Sequence, residues 1–435
     1  GGARLEIRNG IGVNEDTSDL GLQIARNEGS SGAVLVDGEG SIIAVSQAGP
    51  SDPDNGFFGP FVTVGRSGQG TLTVSNGGDL TLAGDSAALR TGIETVGNGA
   101  VVVDGAGSTV SVDGPDSRII VGVDGEGALS IENGASVSNS GPGGFFFVGD
   151  AATAEGTLRV TGGSALSVEG GTAIGVFGTG NATIDGGSTV VLDSDGFDNL
   201  SIGEQEGSTG SLLVDGLGTT VTTTGTDNTV QVGRFGTGDL TVQGGASLST
   251  LQLEAGRGGE GTVTIQGNST DSVFGGFVRA GRFEGSDGTI NVLGGADLII
   301  RNGIGVNEDT TEVGLQIARE RGSSGDVLVD GVGSVIGISQ AAPADPQNGR
   351  FGPFVQVGRD GDGTLTVQNS GALTLHGDMA NFVVGDGAGS DGTVVVSGSD
   401  SSITLTGGDA LMDIGLDGKG EMTVSGGASV AVEGA

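Results

Sequence analysis

Clustered acidic side chains are the first feature of this sequence that could do chemistry. Carboxylate and amide oxygens are the ligands that calcium prefers, and two groups of them stand in polar, strand-poor stretches. One group is an Asn-Glu-Asp triplet that occurs twice, and the other is a pair of aspartates near prolines. The resulting calcium candidates are Asn14, Glu15, Asp16, Asn307, Glu308, Asp309, Asp52 and Asp54. Calcium is thus the one cofactor that the sequence suggests, and solvated loops without an ion are the alternative.

Catalytic side chains are scarce. His376 is the one histidine and Lys419 the one lysine, and the chain has no Cys, Tyr or Trp. Acid–base enzymes need a positioned base and a group that stabilises the developing charge. His376 is not part of a repeated pattern, because Ala83 stands 293 residues before it. We therefore predict no catalytic residues and a protein that is not an enzyme.

The charge of the chain restricts its partners. There are 54 acidic and 17 basic residues, which gives a net charge of −37. Nucleic acids are bound by clustered Lys and Arg, and anionic membrane surfaces attract the same residues, so neither is an expected partner. No apolar run approaches the length of a membrane span, so no direct span is expected in this chain.

The elements that would position any site are short strands. Val64–Leu82 contains two segments, Leu72–Val74 and Leu80–Leu82, that alternate apolar and polar residues, as a strand with one buried face does. Gly77 and Gly78 separate the two strands, where a tight turn favours glycine. Val62 and Val64 alternate in the same way before Gly65. Three strands and three corners make one coil.

This coil recurs along the whole chain. Its Val-Gly or Ile-Gly step ends at Gly65, Gly97, Gly122, Gly149, Gly203, Gly233, Gly358, Gly385 and Gly415, with weaker steps at Gly175, Gly256 and Gly281. A repeat of this length indicates stacked supersecondary units, and no helical periodicity competes with it. The predicted fold is all-β, a right-handed parallel β-helix (β-solenoid) of about 16 coils of roughly 26 residues.

A longer repeat overlies the coils. Ala3–Asp85 returns as Ala296–Asp378, and Gly1 matches Gly294. We therefore divide the chain into a first superperiod, 1–293, and a partial second superperiod of the same continuous solenoid, 294–435. The likeness of the two copies indicates an internal duplication, and we expect the repeat to continue in a longer protein or head to tail. Asp54 becomes Gln347 in the second copy, which weakens that calcium candidate.

The coil sequence resembles the passenger-associated strand repeats of autotransporters and large bacterial surface adhesins. The pattern VGxxGxGTLTVxxGGxLxL carries this resemblance, together with VDGxGSxV rungs such as Val103–Val110. It implies an exported β-helical stalk at the bacterial cell surface or in a biofilm matrix.

These observations lead to one functional hypothesis and its alternatives. We expect a non-enzymatic extracellular structural or adhesive fibre whose partners are further copies, joined head to tail or laterally, or cell-surface and matrix components. An open solenoid end presents unpaired strand edges that invite another copy. The first alternative is a passive stalk that carries a binding domain elsewhere, and the second is a β-helical enzyme that acts on polysaccharides.

Overall fold

The chain is described by a computed structural model that consists of β-strands and turns. Among the described residues there is no helix of the length and apolarity that crossing a membrane requires. Two compact units are present: unit 1 is Gly1–Leu213 with Gly218–Asp227, and unit 2 is Val214–Leu217 with Asn228–Ala435. The structure describes residues 2–8, 20–47, 59–194, 200–225, 228–269, 272–274, 276–301, 313–340 and 352–434.

Unit 1 contains three parallel sheets, and the chain visits them in turn. Its first sheet comprises β1 (Arg4–Arg8), β4 (Ile42–Ser46), β7 (Asp79–Ala83), β10 (Thr109–Asp113), β13 (Ser136–Ser140), β16 (Ala165–Glu169), β19 (Thr189–Asp193) and β22 (Thr220–Thr224). Its second sheet comprises β2 (Gly21–Ile24), β5 (Phe61–Val64), β8 (Ala88–Thr91), β11 (Arg118–Val121), β14 (Phe145–Val148), β17 (Gly171–Ile174) and β20 (Leu200–Ile202). Its third sheet comprises β3 (Ser31–Asp37), β6 (Gln69–Ser75), β9 (Asn98–Asp104), β12 (Glu126–Glu132), β15 (Glu155–Val160), β18 (Thr179–Ile184) and β21 (Thr209–Asp215).

Unit 2 repeats this arrangement with sheets named in the same way. Its first sheet comprises β25 (Ser247–Thr250), β28 (Ser272–Phe274), β31 (Asp297–Arg301), β34 (Val335–Ser339), β37 (Ala372–His376), β40 (Ser402–Thr406) and β43 (Ser429–Glu433). Its second sheet comprises β23 (Thr229–Val232), β26 (Gln252–Ala255), β29 (Phe277–Ala280), β32 (Gly314–Ile317), β35 (Phe354–Val357), β38 (Asn381–Val384) and β41 (Leu411–Ile414). Its third sheet comprises β24 (Thr237–Gln243), β27 (Glu260–Gln266), β30 (Asp287–Leu293), β33 (Ser324–Asp330), β36 (Asp362–Gln368), β39 (Asp391–Ser397) and β42 (Lys419–Ser425).

The predicted parallel β-helix is confirmed, and strand alternation places its core inside the coils. In β6, Leu72 and Val74 are fully buried, whereas Thr73 between them faces outward. Leu72 pairs in register with Val101 of the next coil, which is itself buried. Apolar side chains of one coil therefore stack on apolar side chains of the next, and they form continuous columns within each unit.

The recurring Val-Gly step is explained by a close approach between neighbouring coils. Gly65 has φ +67, and a Cβ on it would lie 2.0 Å from the carbonyl oxygen of Asn98 in the next coil. Gly99, one residue later, would place a Cβ 1.9 Å from the carbonyl oxygen of Val64. Glycine is therefore favoured on both sides of this corner, because a side chain would approach the backbone of the next coil. The equivalent corners after β2 and β32 hold Ala25 and Ala318, which adopt the same left-handed conformation at φ 56 and 54.

The coils are fewer and longer than predicted. Among the described residues, the second and third sheets have seven strands in each unit, and the first sheet has eight in unit 1 and seven in unit 2, so there are fourteen to fifteen coils rather than about 16. The spacing also varies, since Thr237 pairs with Glu260 only 23 residues on, whereas Ser324 pairs with Asp362, 38 residues on. Insertions at the corners lengthen some coils without changing the three strands.

The superperiod boundary is not a boundary between the compact units. Residues 293 and 294 both belong to unit 2, between β30 and β31, and the strands on either side pair with their neighbours as elsewhere. The division at 293 therefore stays a statement about the sequence repeat.

Candidate functional site: an arginine-rich face on the second sheet

The outward row of the second sheet in unit 2 is polar and yet buried. One residue from each of four successive strands forms this row, and each is the register partner of the next. The row consists of Gln231, Glu254, Arg279 and Gln316, all less than about a tenth exposed. Outward residues of a solenoid strand are normally solvated, so this row is a built feature of the fold.

Glu254 is the centre of a buried ionic network. Its side chain is 0% exposed, and its Oε1 accepts hydrogen bonds from Arg279 Nη1 at 2.5 Å and from Arg282 Nη1 at 2.6 Å. Arg257 Nε lies 3.6 Å from Glu254 Oε2. Burial lowers the pKa of Arg279 to about 10 and the charge of Glu254 opposes that shift, so the guanidinium stays charged at neutral pH.

Arginines also stack at the corner that follows the second sheet. In unit 2 this corner carries an arginine in five successive coils, joined by backbone hydrogen bonds. They are Arg234, Arg257, Arg282, Arg319 and Arg359. Burial lowers the pKa of Arg319, and the neighbouring charges of Arg282 and Arg359 lower it further. Successive coils are about 4.8 Å apart, so these cations form a dense row.

Aromatic rings pack under these cations. The guanidinium of Arg279 lies 3.6 Å from the ring centroid of Phe277. Arg282 and Arg257 both lie over Phe283, at 4.6 and 5.7 Å. Cation–π contacts of this kind hold a guanidinium plane in one orientation while its edge stays available for hydrogen bonds.

The same sheet in unit 1 carries a cavity of about 290 Å³ lined by four arginines. Arg26 and Arg66 follow β2 and β5, and Arg90 and Arg118 lie on β8 and β11. Arg66 Nε is 3.0 Å from Glu94 Oε1, and Ser67 donates to the same carboxylate at 2.6 Å. No carboxylate is among the described residues that line the cavity itself.

This face is suited to binding anions rather than to acid–base catalysis. Guanidinium groups take carboxylate, phosphate and sulfate oxygens in pairs and do not exchange protons near neutral pH. Ten of the chain's sixteen arginines lie on this sheet or at its corner, although the whole chain is strongly acidic.

The predicted calcium residues cannot be assessed in the structure. Asn14, Glu15, Asp16, Asn307, Glu308, Asp309, Asp52 and Asp54 all lie outside the described residues. Within the described ranges, no three acidic, histidine or cysteine side chains group as metal ligands would. His376 lies at the end of β37, where its Nδ1 is 2.8 Å from Thr406 Oγ1 on the next coil, a contact between two outward side chains.

Our sequence reasoning missed the arginine face, although a signal was present. The corner glycines Gly65, Gly233, Gly256, Gly281 and Gly358 are each followed directly by arginine. The glycines repeat once in each coil, and the arginines that follow them therefore lie at the same corner of successive coils.

Comparisons with known proteins add little to this picture. No protein-family model matches the chain, and no curated protein matches it as a relative. Among solved structures it is similar to a TibC-catalyzed hyper-glycosylated TibA55-350 fragment, with a TM-score of 0.35 and 15% sequence identity, over 95% of this chain and 98% of that chain. A likeness at this level says nothing of function, and the fold assignment rests on the strand pairing described above.

Proposed function

We propose that the chain is a non-enzymatic extracellular structural or adhesive protein, a β-helix that assembles end to end into filaments at a bacterial cell surface or in a matrix. Its partners on this proposal are further copies of the chain and components of the cell surface. The coil resemblance to autotransporter-type adhesins favours this setting.

The way one coil covers the next in unit 2 carries the proposal. The inward side chains Val384, Val396 and Leu405 are 0% exposed, because β41–β43 pair in register with β38–β40. The same inward positions on β41–β43 hold the apolar residues Ile414, Val424 and Val432. Side chains of this kind are the ones that a further coil covers, and on this proposal that coil comes from another copy.

The strand edges add a directional component to this surface. A parallel coil donates and accepts backbone hydrogen bonds on both sides, as β38–β40 do with the coils before and after them. Burying a half-exposed Ile or Val gains about 1 kcal/mol, and backbone pairing fixes the register.

The test uses a charge placed on this face. Val424→Lys puts an ammonium group into the apolar column, whereas Thr423→Lys puts the same group on the outward side of β42. We expect the parent chain and Thr423→Lys to form filaments in negative-stain electron microscopy and Val424→Lys to remain as separate particles. Filaments of normal length from Val424→Lys would contradict assembly through this face.

The second candidate is a passive stalk, and the same electron micrographs distinguish a stalk from a filament subunit. Particles of one fixed length from the parent chain at all concentrations would favour a stalk and end the filament proposal.

A further inference from the structure

The corner that follows the second sheet changes character along unit 1. After Arg26 and Arg66, the next four coils place three apolar residues and one carboxylate at this corner. Backbone hydrogen bonds of 2.9 and 3.0 Å join these coils. The four residues are Ile93, Val123, Asp150 and Val176. Apolar side chains grouped on an outer corner mark a surface that interacts with something other than water.

Asp150 is a partly buried carboxylate within this apolar corner. Its backbone N–H donates to the carbonyl oxygen of Gly122 at 2.9 Å, which fixes it between the neighbouring coils. Among the described residues, no hydrogen-bond donor and no cation pairs with its side chain. Burial alone raises the pKa of Asp150. A carboxylate in such surroundings is costly to ionise unless a cation offsets its charge, so Asp150 favours a cation that comes from elsewhere.

An exposed aromatic ring stands next to this carboxylate. Phe177 is 54% exposed, and its backbone N–H donates to the carbonyl oxygen of Asp150 at 3.0 Å, so the two residues are neighbours in successive coils. Phe147, on the strand that leads into Asp150, is also partly exposed, and its ring stacks on Phe145 with the centroids 4.4 Å apart. Aromatic faces beside a carboxylate form the surroundings in which organic cations bind.

Unit 2 shows which group completes such a corner. Phe283 is the second residue after its corner glycine, as Phe177 is in unit 1. Between that glycine and Phe283 stands Arg282, whose guanidinium lies 4.6 Å from the ring centroid of Phe283 and 2.6 Å from Glu254 Oε1. A phenyl face and a carboxylate therefore hold one organic cation together. In unit 1 Val176 takes the place of Arg282, and among the described residues no cation lies over the ring of Phe177.

We propose that Asp150 and Phe177 form a binding site for an organic cation from outside the chain, an alkylammonium or guanidinium group. The net charge of −37 draws cations towards the surface. The phenyl ring favours an organic cation over a metal ion, because a weakly hydrated cation gives up its water to an aromatic face more readily. The site requires no second copy of the chain, so it adds recognition of cationic groups to the assembly proposed above.

Saturation-transfer difference NMR titrations on the full chain test the proposal. The probes are Nα-acetyl-arginine amide, Nα-acetyl-lysine amide and choline, with uncharged Nα-acetyl-norleucine amide as the negative control. Asp150→Asn removes the carboxylate, Phe177→Ala removes the ring, and Val176→Arg gives this corner the residue type that unit 2 carries. Asp193→Asn is the matched control, because Asp193 is an exposed carboxylate on the first sheet and its loss changes the net charge equally.

We expect at least one cationic probe to bind the parent chain and Asp193→Asn equally, and to bind Asp150→Asn and Phe177→Ala about fivefold or more weakly. Val176→Arg should also weaken binding, because its own guanidinium then meets the ring and the carboxylate. The probe that binds most tightly distinguishes a guanidinium, a primary ammonium and a quaternary ammonium group.

Equal binding by the parent chain and Asp150→Asn overturns the site, as does the absence of binding by every cationic probe. Equal losses in Asp150→Asn and Asp193→Asn overturn it too, because binding then follows the net charge alone. Filament formation by Asp150→Asn is measured in parallel, so failure of this site and failure of the assembly proposal are seen separately.

Discussion

Replacing Glu254 with Gln removes the one buried negative charge that holds the arginine network of unit 2 together. The variant leaves Arg257, Arg279 and Arg282 facing one another around a site where Glu254 is 0% and Arg279 only 5% exposed. Breaking a buried ion pair by removing one partner costs about 3–5 kcal/mol, because the remaining charge has lost its compensation. We expect a loss of that size in the coils that contain β26 and β29.

Hydrogen exchange measured by mass spectrometry is the suitable assay for this variant. A stack of repeats need not unfold in one step, so a single unfolding midpoint would average over coils that respond differently. We expect the amides of β26 and β29 to exchange about a hundredfold faster or more, which is the result of losing 3 kcal/mol of local stability.

Glu260→Gln is the matched control for this experiment. Glu260 begins β27 and is exposed, so the same chemical change there should alter local stability by about 0.5 kcal/mol or less. Unchanged exchange in Glu254→Gln, or equal effects of the two substitutions, would refute the view that Glu254 compensates the buried arginines.

Three further predictions concern the coil itself. Gly99→Ala places a methyl group 1.9 Å from the carbonyl oxygen of Val64 and should cost about 3 kcal/mol of local stability, measured by hydrogen exchange of the surrounding coils. Gly171→Ala, with nothing within 4 Å, should change local stability by about 0.5 kcal/mol or less, and equal effects of the two substitutions would contradict the close approach of coils. Phe146→Ala empties a fully buried position and should cost about 3–5 kcal/mol in the same assay, while a comparable cost for the exposed Phe177→Ala would contradict the assignment of inward and outward faces. Burial, with the charges of Asp326 and Glu260, raises the pKa of the Asp287 carboxyl. The folded chain therefore keeps the carboxyl proton of Asp287 at a pH where the unfolded chain has lost it. The free energy of unfolding should fall as the pH rises from the ordinary pKa of 3.8 through the raised pKa. Asp287→Asn should make that fall shallower in unfolding experiments over this range, and an unchanged profile would show that Asp287 does not cause it.

The coil architecture was predictable because it depends on local patterns. Alternation in segments such as Leu72–Val74 fixes which side chains face inward, and Gly65 marks a corner where the close approach of the next coil favours glycine. The number of coils was not predictable in the same way. Corner insertions change the residues per coil from 23 to 40 and leave the strand pattern unchanged.

The arginine network could not be derived from a local window. Glu254 stands at an outward strand position, which reads as solvated, and its partner Arg279 is 25 residues away in the chain. Its burial arises only when the coils stack and Arg279 and Arg282 come beside it. The arginine after each corner glycine was visible in the sequence, but its meaning depends on the register that brings these corners together.

The central claim, that the coil β41–β43 of unit 2 accepts another copy, is tested most directly by hydrogen exchange at several protein concentrations. The strands β41, β42 and β43 pair with β38–β40 on one side, and the proposal places another copy on the other side. We predict that their protection rises with protein concentration in the parent chain and in Thr423→Lys, and stays low in Val424→Lys. Protection that is independent of concentration in all three proteins would contradict assembly through this face.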